Sequence, residues 1–172
     1  MYAYLRDTIL ARPVSSPSNK VLLLGLGNDI LSDDAVGLRV ARRLRDEFAH
    51  DDRIDVQETQ EMGLALLDFI VGYRHVILVD SIQTGKAPPG TLHELDADTL
   101  RTLTGGTPHF VGVGETLALG RQLGLAMPDR VTIFAIEVAD PFTLGTQMTP
   151  ELERALPSLL ERVRAALLQE AG

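Results

Sequence analysis

Residues 21–37 read VLLLGLGNDILSDDAVG, a buried strand, a glycine turn and the acidic opening of a helix in that order. Val21, Leu22, Leu23 and Leu24 form an unbroken apolar run, the pattern of a strand covered on both faces. Gly25 and Gly27 then let the backbone turn sharply, and Asn28 suits the turn because its short amide tolerates left-handed angles. Ser32, Asp33 and Asp34 precede a helical stripe of Val36, Val40, Leu44 and Phe48. This predicts that at least one of the three caps the helix by accepting backbone N–H bonds. Adjacent helical residues do not share a face, so if Asp33 caps, Asp34 is directed elsewhere, over the end of the sheet.

Outward from this stretch the chain alternates strand and helix. Residues 54–58 read as a short second strand, and Gly63 opens a second helix with Leu64, Leu67 and Val71 on its apolar face. Residues 75–80, HVILVD, form another continuous apolar run that ends on an acid. After the turn-rich TGKAPPG, residues 91–95 read as a fourth, antiparallel edge strand, 115–123 as a third helix and 131–136 as the last strand. Thr149 and Pro150 mark a final helix start, and Pro157 predicts a kink or a restart after one turn. The expected architecture is a three-layer α/β/α sandwich, a twisted and mostly parallel sheet of about five strands with an antiparallel edge strand. Residues 1–19 read as an N-terminal arm and 20–172 as one domain.

Composition narrows the chemistry. With 172 residues and 45% hydrophobic content the chain builds a real core, and it contains no apolar span of membrane length. The leading residues lack a signal-type apolar stretch, which predicts a cytoplasmic protein. Zero cysteines exclude disulfides, a thiol nucleophile and thiolate metal sites, leaving His, Asp and Glu as strong ligands. A net charge of −8 argues against a nucleic-acid partner. A dinucleotide loop is disfavoured as well: Ile30 stands where its third glycine belongs, and Asp33 and Asp34 would repel a pyrophosphate.

In open α/β sheets ligands bind beyond the carboxyl ends of the strands. Asp34 follows the first strand, Asp80 ends the third, and His109 lies in the loop after the fourth. If the strand order runs second, first, third, Asp34 and Asp80 face one crevice. Two carboxylates and an imidazole suit a divalent transition metal such as nickel, zinc or iron, and equally suit acid–base chemistry. Each also has a plainer reading. Asp34 would favour a helix dipole, Asp80 would accept N–H bonds from a turn at Ser81, and His109 would be an exposed loop residue. His50, His75 and His93 are weaker candidates by position. Gly27, Asn28, Gly63 and Glu137 lie at the same edge and are the substrate-binding candidates, although Glu137 reads equally well as a solvated strand-end acid.

From residue 21 to about 168 the chain resembles the [NiFe]-hydrogenase maturation endopeptidases. The resemblance is carried by GLGNDILSDDAVG, by the strand ending in Asp80, by the loop PHFVGVGETLALG containing His109, and by AIEVAD, similar to the family's G-I-E-P segment. It implies that Asp34, Asp80 and His109 contact metal, with the two aspartates in the catalytic role. It also implies a partner, the hydrogenase large-subunit precursor with nickel already inserted, from which a C-terminal tail is cut after a His or Arg. Nickel would arrive with the substrate, so no resident cofactor is expected, and the hydrolysis would be metal-assisted or aspartic in type. Two positions depart from the family: Asp34 stands where Glu is commoner, and Val138 where proline is frequent. The rival expectation is a non-catalytic chaperone or docking protein for the nickel-loaded precursor.

Overall fold

The computed structural model describes residues 18–97 and 108–172, with side chains except at 108–111. The expected N-terminal arm lies outside the described residues up to position 17. Strand β1 (Ser18–Leu26) leads through a 3₁₀ turn into helix α1 (Val36–Arg45), followed by β2 (Ile54–Thr59), the single helical turn α2 (Leu67–Ile70) and β3 (Tyr73–Ile82). The chain continues with β4 (Leu92–Asp96), α3 (Pro108–Gln122), β5 (Arg130–Glu137) and the long α4 (Pro150–Ala171). The sheet order is β2-β1-β3-β5-β4, with β4 antiparallel to β5 and every other pair parallel. The three-layer α/β/α expectation and the antiparallel edge strand are both met.

Strand alternation divides the core. Val21, Leu23, Ile77, Val79, Phe134 and Ile136 face α1 and α4, meeting Val36, Val40, Leu44, Leu152, Leu159 and Val163. The intervening Leu22, Leu24, Val76, Leu78 and Ile133 face the opposite layer, where Leu66, Leu67, Ile70, Val113 and Leu117 cover them. With both faces covered, the central strands read as continuous apolar runs. Helix α1 approaches β1 unusually closely: a Cβ on Gly25 would lie 2.2 Å from the Gly37 carbonyl oxygen, and one on Gly37 would lie 2.2 Å from both the Leu26 and Val79 oxygens. This contact seats the start of α1 on the carboxyl ends of β1 and β3.

Several local expectations are corrected. None of Ser32, Asp33 and Asp34 caps α1 with its side chain; the chain enters through a 3₁₀ turn at Asp33–Ala35, because Ser32 and Asp33 are engaged by the segment after β5 and Asp34 by Ser81. Asn28 does not use left-handed angles, since every positive-φ residue described is glycine; its Oδ1 instead accepts the Ile30 N–H at 3.1 Å, an Asx turn. The helix expected after Gly63 is a 3₁₀ turn plus one α turn. Helix α3 begins at Pro108 and not at residue 115, so His109 belongs to a helix and not to a loop. Helix α4 runs through Pro157 without a restart. Pro157 and Glu153, whose carbonyl lacks the N–H that a non-proline residue would offer, are both exposed, so the lost bond is on the solvent side of the helix. Burial of Leu152, Leu156, Leu159, Val163 and Leu167, each contributing about 1.5–3 kcal/mol, outweighs a proline cost of about 3 kcal/mol.

Candidate active site

The order β2-β1-β3 places the ends of β1 and β3 side by side, Gly25 opposite Val79, and Asp34 comes over them from the start of α1. Asp80 is 1% exposed and Asp34 8%. Between them stands Ser81, which belongs to β3 and not to a turn. Its backbone N–H donates to Asp80 Oδ1 at 2.8 Å, and its hydroxyl donates to Asp34 Oδ1 at 2.6 Å. The plain reading of Asp80 as an acceptor for Ser81 therefore accounts for one oxygen only. The other, Oδ2, is buried and has no hydrogen-bond partner among the described residues. Burial pushes the Asp80 carboxyl up to about 7; the Ser81 N–H opposes the shift and the nearby Asp34 charge adds to it.

Asp33 is fully buried and turns away from the site. Its carboxylate accepts the backbone N–H groups of Ala139, Asp140 and Thr149 and the Thr149 hydroxyl at 2.7–3.2 Å. Thr149 thus stands at the cap position of α4 without capping it by its side chain. Ser32 Oγ donates to the Gln147 carbonyl, and Leu31 bridges Leu144. These bonds knit the turn after β1 to the segment after β5, on which Ile30, Phe142 and Leu144 remain exposed.

Gly27, at φ +148°, lies where a Cβ would meet the Asp34 carbonyl oxygen at 2.1 Å, so it lets the turn that carries Asp34 fold back on β1. Gly63 has φ +64° and open space around it. Glu137 is not a solvated strand-end acid: it is 1% exposed and accepts the N–H groups of Thr84 and Gly85, the Thr84 hydroxyl and a contact from His93 Nε2 at 3.1 Å. Burial pushes its carboxyl up, but these partners outweigh that and hold it below the usual glutamate range. It pins the loop between β3 and β4. His93, set aside as a weaker candidate, is part of that anchor, and the antiparallel pairing of β4 with β5 is what brings it there.

His109 is the second residue of α3, four positions before the buried Val113; its side chain is outside the described residues. Among the described residues no group of three or more ligating side chains is placed to hold a metal. Asp34 and Asp80 are the members of the expected trio whose side chains are described.

A sheet covered on both faces, with two carboxylates joined at the carboxyl ends of its central strands and one of them poised near neutrality, has the equipment of an acid–base α/β enzyme. The profile of the hydrogenase maturation protease family matches residues 38–166. The chain belongs to that family. It is 28% identical over 155 residues to the hydrogenase 2 maturation protease of Escherichia coli strain K12, covering 89% of this chain and 93% of that protein. It superposes on the hydrogenase maturating endopeptidase HybD from E. coli with a TM-score of 0.71 at 26% identity, over 87% of this chain and 93% of the other. The [NiFe] hydrogenase maturation protease HybD from Thermococcus kodakarensis, at 22% identity and a TM-score of 0.65 over 86% and 99% of the two chains, shares the fold.

Proposed function

We propose that this protein is a cytoplasmic endopeptidase that removes the C-terminal tail of the nickel-loaded [NiFe]-hydrogenase large-subunit precursor. Family membership supports the peptidase activity and its place in hydrogenase maturation. The observation that carries the chemical part is the buried Oδ2 of Asp80, without a donor among the described residues, near Asp34. Such an atom is an acceptor awaiting a proton or a cation, and either is what peptide hydrolysis at a metal-bearing substrate offers. Nickel is part of the substrate in this reading, and Asp34, Asp80 and His109 are the residues that reach it. No resident cofactor is required.

Asp80 does the proton work. A carboxyl with its pKa at about 7 takes a proton from water at neutral pH and returns one readily. The water oxygen bonds to the scissile carbonyl carbon, the C–N bond breaks, and the proton held by Asp80 passes to the departing amine. With no cysteine in the chain, a thiol ester is excluded. The exposed Ile30, Phe142 and Leu144 on the adjoining loops give a polypeptide substrate apolar surface to rest on.

The test offers purified enzyme matched precursors with and without nickel and follows tail release by mass. Loss of the tail from the nickel-loaded form alone is expected. Equal cutting of both forms defeats the role of nickel, and binding without cutting makes the protein a docking factor or chaperone.

A further inference from the structure

We propose that Ser81 is the positioning residue of this site, setting the spacing of Asp34 and Asp80 through its two hydrogen bonds. The inference rests on the peptidase reading above and goes beyond it, since neither the sequence pattern nor the family resemblance singles out Ser81. Successive strand residues point to opposite faces of a sheet. Asp80 shares the parity of Val76 and Leu78, which face the α3 layer, and Ser81 that of Ile77 and Val79, which face α1. One residue can therefore reach both acids: its backbone N–H holds the carboxylate preceding it, and its side chain reaches across to the carboxylate at the start of α1.

The hydroxyl is out of pattern for its place. Its nearer neighbours on that face of β3, Ile77 and Val79, are aliphatic, whereas the polar His75 lies at the far end of the strand with partners of its own, Glu170 and Thr132, and Ser81 pairs across the sheet with Ile136. An alanine or valine there would pack as well and would keep the N–H bond to Asp80. What only the hydroxyl supplies is the 2.6 Å tether to Asp34 Oδ1. Asp34 is close enough for its charge to act on Asp80, and it is the less buried of the two acids. Without the tether it swings outward, and a substrate group held between the two acids loses one of its contacts. Ser81 touches neither substrate nor water in this scheme; it acts through Asp34.

The test measures tail release from nickel-loaded precursor by Ser81→Ala, Ser81→Thr and the wild type. Misplacement of a reacting group by about 1 Å costs about 100-fold in rate, so Ser81→Ala should lower kcat by about 100-fold while KM stays within about twofold. Ser81→Thr keeps the hydroxyl on a β-branched side chain suited to a strand and should lie within about tenfold of wild type. Ser81→Cys, similar in shape but only a weak donor, makes the same comparison should alanine lower the unfolding temperature below that of the assay. A Ser81→Ala enzyme with wild-type kcat, a loss confined to KM, or a threonine variant as slow as the alanine one overturns the assignment. A wild-type enzyme that binds precursor and never cuts it brings down the peptidase reading and this inference together. Wild type and Ser81→Ala cutting alike bring down Ser81 alone.

Discussion

Replacing Asp80 by asparagine removes a carboxyl that folding holds in the protonated form up to about pH 7, against an ordinary value of 3.8. In the unfolded chain the group ionises near pH 4; in the folded chain it keeps its proton until about pH 7. Between those limits the unfolded state binds fewer protons, so the contribution of Asp80 to stability falls as pH rises and levels off above the folded value. At about 1.4 kcal/mol per tenfold change in proton affinity, the whole fall is about 4 kcal/mol. Asparagine does not titrate. Near pH 4 the variant and the wild type should unfold at similar temperatures, because a protonated carboxyl and an amide are close in shape. At pH 8 the Asp80→Asn chain should be more stable by up to about 4 kcal/mol, about 10 °C in Tm for a chain of this size, while losing its activity. Thermal unfolding of both proteins at the two pH values reads this directly, and groups that titrate equally in both cancel in the difference. A gap in Tm that does not change between pH 4 and pH 8 refutes the claim that Asp80 is held near neutrality by burial. Stability gained at the expense of activity is the behaviour of a functional site.

Other outcomes follow from the same geometry. Alanine at Asp34, Asp80 or His109 should abolish tail release, and Asp34→Glu, the longer acid common in the family, should retain part of it; a mass assay on the precursor decides, and wild-type cutting by any alanine variant removes that residue from the site. Gly27→Ala and Gly37→Ala would each drive a Cβ to within 2.1–2.2 Å of backbone oxygens that cannot yield, a cost of about 3 kcal/mol, seen as a lower urea midpoint at unchanged slope. Glu137→Ala leaves the Thr84 and Gly85 N–H groups and His93 without their acceptor. It should cost about 3 kcal/mol and speed proteolytic nicking of residues 83–90, whereas a loop cut no faster than in wild type would show that other bonds hold it.

Much of the fold was legible because its determinants are local or periodic. The apolar runs at Val21 and His75 announce strands covered on both faces, and acids directly after them meet at one edge once β1 and β3 are neighbours. What stayed hidden is long-range. Ser32, Asp33 and Asp34 look like caps because a polar residue before a helical stripe commonly is one. Their actual partners, Gln147, Thr149 and Ser81 among them, lie 47 to 116 positions away, and no local pattern encodes them. Ser81 after an acid reads as a turn residue, and only strand pairing through Ile82 makes it a bridge. The start of α3 is hidden in the sequence because Gly112 and Gly114 dilute its helical pattern, though Pro108 at its first position is a recognised opening. Glu137 and His93 were each visible, but their meeting depends on the antiparallel direction of β4.

The bonds to Asp33 also set a schedule for biosynthesis. Its donors, at positions 139, 140 and 149, lie 106 to 116 residues downstream. At roughly 5–20 residues per second, the turn that carries Asp34 leaves the ribosome on the order of ten seconds before the groups that anchor it. Until they arrive Asp33 must stay in water, because a carboxylate buried without partners costs several kcal/mol. The nascent chain therefore has both aspartates in place in its sequence but not the scaffold that holds them. The turn that carries Asp34 gains its anchor only once residues 139–149 have been made.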